Sequence, residues 1–156
     1  MDMNMEFNLK KFKLRILSFK GEFKFLSNFH PCKKIKSAEH LYQASKTVLP
    51  KEQKGVMRAE TARRARELGQ LVTLKKGWDD MKVPIMTKVV RKKFGDDPVL
   101  AQQLLDTGDA ELIEGNHHKD RFWGVYRGKG ENHLGIILMK VREELREEEN
   151  KKTKTA

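Results

Sequence analysis

The stretch Ser37-Ala-Glu-His-Leu-Tyr-Gln-Ala-Ser-Lys46 predicts a helix that carries a stripe of reactive side chains. Its first residue, Ser37, is typical of a helix N-cap, because its hydroxyl can accept a hydrogen bond from a backbone N–H of the first turn. We expect this helix to span residues 38–47, and residues at positions i, i+3, i+4 and i+7 then share one face. One stripe therefore presents an acid, a phenol, an amide and an amine: Glu39, Tyr42, Gln43 and Lys46.

Spacing alone leaves two interpretations of this stripe open. It is either an exposed polar face with an ordinary ion pair or one wall of a cleft. The small and apolar residues Ala38, Leu41 and Ala44 cover only part of the helix surface. This limited apolar cover favours the cleft.

Composition bounds the size of the protein and the charge of its partners. With 156 residues, 38% of them hydrophobic, the chain has room for one domain with a core. Its 33 Lys and Arg exceed its 22 Asp and Glu by 11, which favours phosphate-bearing partners such as nucleotides or nucleic acid. A single cysteine, Cys32, excludes an intrachain disulfide and a multi-cysteine zinc site. No apolar run is long enough for a signal sequence or a membrane span, so we expect a soluble, cytoplasmic protein.

Hydrophobic periodicity and turn residues divide the remaining chain into short elements. Strands are expected within residues 13–19, 110–114 and 122–126, and a loop or irregular strand at 23–29. Further helices are expected at residues 59–68, between 77 and 95, at 98–106 and from about 132 through 145. We expect one domain over residues 10–146, a flexible segment at 1–9 and a disordered charged tail at 147–156.

A polar loop between the last two predicted strands concentrates reactive groups. Its sequence is Glu114-Gly-Asn-His-His-Lys-Asp-Arg-Phe-Trp-Gly124. Loops held by strand ends are common places for binding sites. His117, His118 and Asp120 invite a metal interpretation, but neighbouring histidines in an extended loop point apart, so we expect no metal. Trp123 is either a core residue or a surface that stacks on a ligand.

The glycines do not match the nucleotide-binding motifs. Gly128, Gly130 and Gly135 do not follow a strand in the G-x-G-x-x-G pattern, and no P-loop sequence occurs. The segment from Gly130 to Gly135 predicts a turn into a helix, whose free amides can receive a phosphate or ribose oxygen. The simpler alternative is a cap by Asn132.

Six segments follow one another along the chain in a specific order. They are Phe25-Leu-Ser-Asn-Phe29, the helix stretch from Ser37 to Lys46, Trp78 with Met86 and Lys93-Phe94, Leu105-Asp-Thr-Gly-Asp-Ala110, Asp120-Arg-Phe-Trp-Gly124, and Gly130-Glu-Asn-His-Leu-Gly-Ile-Ile-Leu-Met139 with Val141-Arg142. Together they resemble the NADAR family, also called the YbiA-like family. The resemblance covers residues 19–142, which is most of the chain.

This resemblance implies both a fold and a reaction. Members are compact, helix-rich α+β single domains with a small β-sheet. Those with an assigned activity are N-glycosidases, which cleave the bond between ribose C1 and a nitrogen. Two substrate classes are associated with the family: phosphoribosylamino-pyrimidine intermediates of riboflavin biosynthesis, and ADP-ribose attached to guanine. The resemblance implies no metal and no organic cofactor.

The matching positions imply three catalytic residues. Glu39 would protonate the leaving nitrogen or stabilise the cationic ribose. Lys46 would neutralise phosphate or form a Schiff base with an opened ribose, and the second role requires burial to lower its pKa. Asp120 would bind a ribose hydroxyl or act as a second carboxylate.

Further positions are predicted to bind the substrate. They are Ser27, Asn28, Tyr42, Gln43, Trp78, Trp123 and Asn132. Trp123 is expected to stack on the base, and Trp78 is either a second stacking surface or an anchor at a helix start. Arg63, Arg64 and Arg66 are interpreted as charge that steers the substrate, because one helix cannot aim all three at one phosphate.

The expected partner is an ADP-ribosylated guanine nucleotide or nucleic acid, or a small phosphoribosyl substrate, and no membrane. The positive charge slightly favours nucleic acid. A rival hypothesis is a noncatalytic module that binds ADP-ribose or nucleic acid. The presence of Glu39, Lys46, Asp120 and Trp123 in one chain favours the enzyme.

Overall fold

Helices dominate the computed structural model, which describes residues 14–155. The α-helices are α1 (Ala38–Ala44), α2 (Pro50–Met57), α3 (Ala62–Gly69), α4 (Trp78–Gly95), α5 (Pro98–Asp106) and α6 (His133–Thr155). A 3-10 helix spans Gly21–Leu26, and the short strands are β1 (Arg15–Ile16), β2 (Pro31–Cys32), β3 (Lys36–Ser37) and β4 (Glu111–Leu112). This is the helix-rich α+β class with little β-structure that the sequence predicts.

Two small sheets connect distant parts of the chain. Strand β1 pairs in parallel with β4, with Arg15 opposite Glu111. Strands β2 and β3 form an antiparallel pair directly before α1, with Pro31 opposite Ser37. The sheets therefore fix the segments that enter α1 and that leave β4.

Side-chain caps define where three helices begin. The Ser37 hydroxyl accepts a hydrogen bond from the His40 N–H at 3.1 Å, which confirms the predicted N-cap of α1. Thr61 caps α3, and Asp97 caps α5 with Pro98 at its first position. The predicted bounds of α5 are confirmed, whereas α3 begins later than predicted because Thr61 caps it.

The main core lies where α1, α4, α5, α6 and β4 meet. Its fully enclosed side chains include Leu26, Met86, Val90, Phe94, Leu104, Leu112 and Leu138. A second, smaller cluster joins α1 to α2 and α3 through Ala44, Val56, Ala59 and Ala65. Helix α1 thus packs on both sides, and its polar stripe faces the remaining space.

Four local predictions are wrong. The helix predicted over residues 38–47 ends at Ala44, where the Ser45 hydroxyl donates to the Leu41 carbonyl, and Lys46 lies in the turn that follows. Helix α2 is not predicted, because a proline that ends one helix also suits the first turn of the next. Residues 122–126 form no strand, only the isolated bridges of Val125 with Gly115 and of Tyr126 with Lys129. The segment expected to be a loop at 23–29 begins inside the 3-10 helix.

The predicted disordered tail at 147–156 is also corrected. Helix α6 continues to Thr155, far beyond its buried part. Glu and Lys residues are good helix formers, and the Lys152–Glu149 pair lies one turn apart, so the tail extends the helix without a core. The predicted flexible segment at 1–9 lies outside the described residues. Within residues 14–155, no helix combines the length and apolar character that crossing a membrane requires.

Candidate active site

A cavity of about 420 Å³ opens between α1, α3, the segment after β4 and the loop that follows the 3-10 helix. This loop, residues 27–30, is here called the first loop. Its lining combines acids, amides, cations and aromatic rings: Ser27, Asn28, Phe29, Glu39, Tyr42, Gln43, Lys46, Arg66, Gln70, Met86, Glu114, His118, Asp120, Trp123 and Leu134. Residues of α1 and of the turn after it form one side, here called the helix wall (Glu39, Tyr42, Gln43, Lys46). The opposite side is called the loop wall (Glu114, Asp120, Trp123).

A buried amide orients the acid of the helix wall. Glu39 is only 7% exposed, and its Oε1 accepts a hydrogen bond from Gln43 Nε2 at 2.7 Å. Gln43 in turn lies against Gly69, where an added Cβ would fall 2.0 Å from its Oε1. A side chain at position 69 would therefore displace Gln43 and remove the donor that orients Glu39.

Burial and neighbouring charges shift the pKa values of Glu39 and Lys46 in the helix wall. Burial raises the pKa of Glu39, although the Gln43 hydrogen bond and the nearby Arg66 and Lys46 oppose this rise. Burial lowers the pKa of Lys46, with Glu39 opposing that change. The pKa of Lys46 is therefore shifted in the direction that a nucleophilic role requires.

Tyr42 connects the two walls through aromatic contacts. Its ring centroid lies 5.5 Å from that of Trp78 and 5.5 Å from that of Trp123. Burial and the neighbouring Glu39 raise the pKa of the Tyr42 phenol. The phenol therefore stays protonated and can donate a hydrogen bond.

Asparagine side chains shape the loop wall. Asn116 Oδ1 accepts from the Asp120 N–H at 3.0 Å, and Asn116 Nδ2 donates to the Asp120 carbonyl at 2.8 Å. The Asp120 carboxylate accepts hydrogen bonds from the N–H groups of Phe122 and Trp123 through Oδ1. These bonds turn the loop back on itself and bring Asp120 and Trp123 to the cavity.

A buried lysine holds the first loop. Lys93 is 2% exposed, and its ammonium donates to the carbonyls of Phe25 at 2.6 Å and Ser27 at 2.9 Å. Burial lowers the pKa of Lys93 to about 8. The Asn28 carbonyl also accepts from the Glu39 N–H at 2.9 Å, so the loop is fixed against the start of α1.

Comparison with known proteins agrees with this architecture. The NADAR domain family matches residues 7–146. The chain belongs to the NADAR family. The riboflavin biosynthesis protein VVA0006 of Vibrio vulnificus is 46% identical over 79% of this chain, but this chain covers only 36% of that protein.

Two relatives and one solved structure are closer in length. The N-glycosidase Npun_R5314 of Nostoc punctiforme is 42% identical over 70% of this chain and 74% of its own. The N-glycosidase YbiA of Escherichia coli is 35% identical over 70% of this chain and 69% of its own. The NMR structure of Escherichia coli YbiA matches with a TM-score of 0.76 at 32% identity, covering 87% of this chain and 86% of that one. The predicted family and fold are thereby confirmed.

Most of the predicted site residues of this NADAR domain line one cavity. These are Ser27, Asn28, Glu39, Tyr42, Gln43, Lys46, Asp120 and Trp123. The cleft interpretation of the α1 stripe is thus correct as geometry, while the chemical role of each residue stays a prediction.

Two predicted substrate-binding residues lie elsewhere. Trp78 is 6% exposed and supports Tyr42 from the core, so it is the helix-start anchor. Asn132 Oδ1 accepts from the Glu114 N–H at 2.9 Å, and its Nδ2 donates to the Leu112 carbonyl at 2.9 Å. Asn132 therefore ties β4 to the start of α6 and is absent from the cavity lining.

Two lining residues, Arg66 and Glu114, lie outside the predicted catalytic and substrate-binding set, and Arg66 was interpreted only as charge that steers the substrate. Arg66 lines the cavity, whereas Arg63 and Arg64 contact Glu67 on the exposed side of α3. Glu114 also lines the cavity, and burial together with Asp120 raises its pKa to about 7. The sequence shows Glu114 as one acid of a polar loop, but nothing in its spacing places it opposite Glu39.

The side chains that could bind a metal are spread out in the described residues. Within the range 14–155, no group of three His, Cys, Asp or Glu side chains is arranged to hold an ion. His118 lines the cavity, while His117 is not among the lining residues.

Proposed function

We propose that this NADAR domain removes ADP-ribose from guanine in nucleic acid by hydrolysing the bond between ribose C1 and the base nitrogen. The observation that carries the proposal is a single cavity that joins three carboxyl groups, two cations and an indole. The chain is a hydrolase acting on N-glycosyl bonds, as its family and the N-glycosidases YbiA and Npun_R5314 indicate.

The helix wall fits the requirements of this bond cleavage. Breaking the bond leaves positive charge on the ribose and negative charge on the departing base. Glu39, oriented by Gln43, supplies negative charge near the ribose. Lys46 and Arg66 supply positive charge for the phosphates. Lys46 can also attack C1, because burial lowers the pKa of its amine.

The loop wall fits the sugar and base. Asp120 presents a carboxylate oriented by two backbone N–H groups, which suits a ribose hydroxyl. Trp123 offers an indole surface for the base, positioned by Tyr42 and Phe122. The two walls would thus hold the ribose between them.

Charge outside the cavity supports a nucleic-acid substrate. The chain carries an excess of 11 basic over acidic residues, and α3 presents Arg63 and Arg64 beside the cavity residue Arg66. Basic residues at the mouth of a cavity attract a polyanion and speed its association.

A second candidate substrate is a phosphoribosylamino-pyrimidine of riboflavin biosynthesis. Its support is that two relatives are named riboflavin biosynthesis proteins: VVA0006 of Vibrio vulnificus and the chloroplastic PYRR of Zea mays. PYRR is 33% identical over 70% of this chain, and this chain covers 19% of PYRR. The same carboxylates and cations suit a ribose with one phosphate.

The test offers both substrates to the purified chain. A guanine-ADP-ribosylated oligonucleotide and a phosphoribosylaminopyrimidine are incubated in parallel, and base release is followed by mass. We expect release of unmodified guanine oligonucleotide. Turnover of the pyrimidine alone would replace the substrate. Tight binding of ADP-ribose without turnover of either compound would favour the noncatalytic module.

A further inference from the structure

Glu114 is the one carboxyl group of the cavity that no donor holds. Its Oε2 is enclosed and has no hydrogen-bond partner among the described residues. By contrast, Glu39 accepts from Gln43, and Asp120 accepts from two backbone N–H groups. A buried carboxylate without a donor is unfavourable, whereas a protonated carboxyl group is tolerated.

The backbone around Glu114 is tightly fixed. Its N–H donates to Asn132 Oδ1 at 2.9 Å, and its carbonyl accepts from the Val125 N–H at 2.8 Å. Gly124 packs against it so closely that an added Cβ would lie 2.1 Å from the Glu114 carbonyl and 2.9 Å from its Cγ. This support aims the side chain into the cavity and leaves it little freedom to turn away.

The surrounding charges favour a proton on Glu114. Burial, Asp120 and Glu39 raise its pKa to about 7, while Lys20 and Lys93 oppose the rise. The other titratable or charged groups that line the cavity are Tyr42, Lys46, Arg66 and His118. Near neutral pH, Glu114 can therefore both hold and release a proton.

We propose that Glu114 is the general acid that protonates the departing base nitrogen. The C1–N bond breaks, its electron pair moves to the nitrogen, and the Glu114 proton follows. The oxygen of a water molecule then bonds to C1, either directly or by displacing the Lys46 amine after that amine has bonded to C1, and the proton that the water releases returns to the Glu114 carboxylate. Glu39 differs from Glu114 because the Gln43 hydrogen bond, Arg66 and Lys46 oppose the rise that burial causes in its pKa, and in this scheme it acts as the carboxylate that stabilises the cationic ribose. This assignment rests on the proposed hydrolysis, but not on the choice between the two substrates.

Kinetics test the assignment on the intact chain. In the wild type, kcat/KM should fall tenfold per pH unit above about pH 7, because the acid must be protonated. Glu114→Gln keeps the shape and should lower kcat by about 10² to 10⁴ and remove this basic limb, with little change in KM. Glu114→Asp should keep the limb at a reduced kcat.

Glu111→Gln is the matched control, because Glu111 lies on β4, just before Glu114 in the chain, and pairs with Arg15 outside the cavity. It should retain both rate and pH profile. The assignment would be overturned if Glu114→Gln turned over substrate at the wild-type rate. It would also be overturned if the basic limb persisted in Glu114→Gln and disappeared in Glu39→Gln. Should Glu114→Gln fail to fold, Glu114→Asp decides by whether the limb persists.

Titration of the substrate-free protein separates this inference from the proposed function. Side-chain carboxyl ¹³C NMR should show Glu114 titrating near pH 7, and Asp120→Asn should lower that midpoint by removing a neighbouring charge. Ionisation of Glu114 below pH 5 would overturn the inference even in an active enzyme. Absence of turnover in the wild type would instead overturn the proposed function, and the midpoint alone would then decide whether Glu114 holds the proton.

Discussion

The two walls of the cavity are built by different means. The helix wall takes its geometry from the backbone of α1, whose repeat places Glu39, Tyr42 and Gln43 on one face, with Lys46 in the turn directly after it. The loop wall has no such repeat, and the side chains of Asn116 and Asn132 hold it in place. We therefore expect changes in the helix wall to affect the reaction alone, and changes in the loop wall to affect stability as well.

The largest effect should come from Glu39→Gln in the helix wall. The amide keeps the shape but removes the charge that stabilises the ribose cation, so kcat should fall by about 10² to 10⁴ with the unfolding midpoint little changed. The control is Glu67→Gln, an acid on α3 that pairs with Arg64 outside the cavity. Near-normal turnover by Glu39→Gln would show that the helix wall does not carry the reaction.

Lys46, on the same wall, should form a covalent adduct with the sugar. Because burial lowers the pKa of its amine, we expect borohydride added during turnover to trap a sugar adduct on Lys46, detected by mass. Lys46→Arg keeps a positive charge without a nucleophile and should lose about a hundredfold in kcat. An active Lys46→Arg with no trapped adduct in the wild type would leave Lys46 only the role of holding phosphate.

Asn132→Ala should affect the loop wall through the fold. It removes the bonds to the Glu114 N–H and the Leu112 carbonyl, and we expect about 1 to 3 kcal/mol less free energy of unfolding in urea. Asn132 has a φ of 54°, which glycine adopts without strain. Asn132→Gly therefore removes the two hydrogen bonds without straining the backbone, and its stability reports the loss of those bonds alone. Equal stability of Asn132→Gly and the wild type would mean that these bonds do not hold the loop wall.

A smaller effect should distinguish the arginines of α3. With an oligonucleotide substrate, Arg66→Ala should reduce the slope of log affinity against log salt by about one unit, because one phosphate contact is lost. Arg63→Ala should change it less, since Arg63 is exposed and near Glu67. Affinity that does not respond to salt would exclude α3 from the nucleic-acid surface.

The smallest effect is expected for metal removal and for the two histidines between Glu114 and Asp120. Turnover should survive exhaustive chelation, because carboxylates and an amine suffice for this bond cleavage. Replacing both His117 and His118 by Ala should change substrate preference at most. Loss of turnover that added zinc restores would make this loop a metal site.

The contrast between the walls also explains what the sequence could predict. The stripe on α1 follows from local spacing, and so does its cap at Ser37. The position of Glu114 depends on Gly124 and Asn132, which come later in the chain and have no periodic relation to it. Asn132 was predicted to bind substrate, but the oxygen and the nitrogen of its side-chain amide both form hydrogen bonds with the backbone of residues 112 and 114.

The missed elements share one physical cause. Pro50 fits both the end of one helix and the start of another, and only the packing of Val56 in the second cluster favours the helix. Trp78 likewise suits a base or a core, and contact with Tyr42 decides between them. Such choices depend on tertiary contacts that a single sequence does not encode locally.

The parallel pairing of β1 with β4 has a consequence for folding. Helices α1, α2 and α3 are consecutive in the chain and contact one another, so these contacts can form early, whereas Arg15 meets Glu111 only after most of the chain is present. The loop wall further requires residues at the start of α6. During synthesis, the helix wall would therefore form first. The loop wall can form only after β4 and the start of α6 have left the ribosome, so the complete binding site appears late.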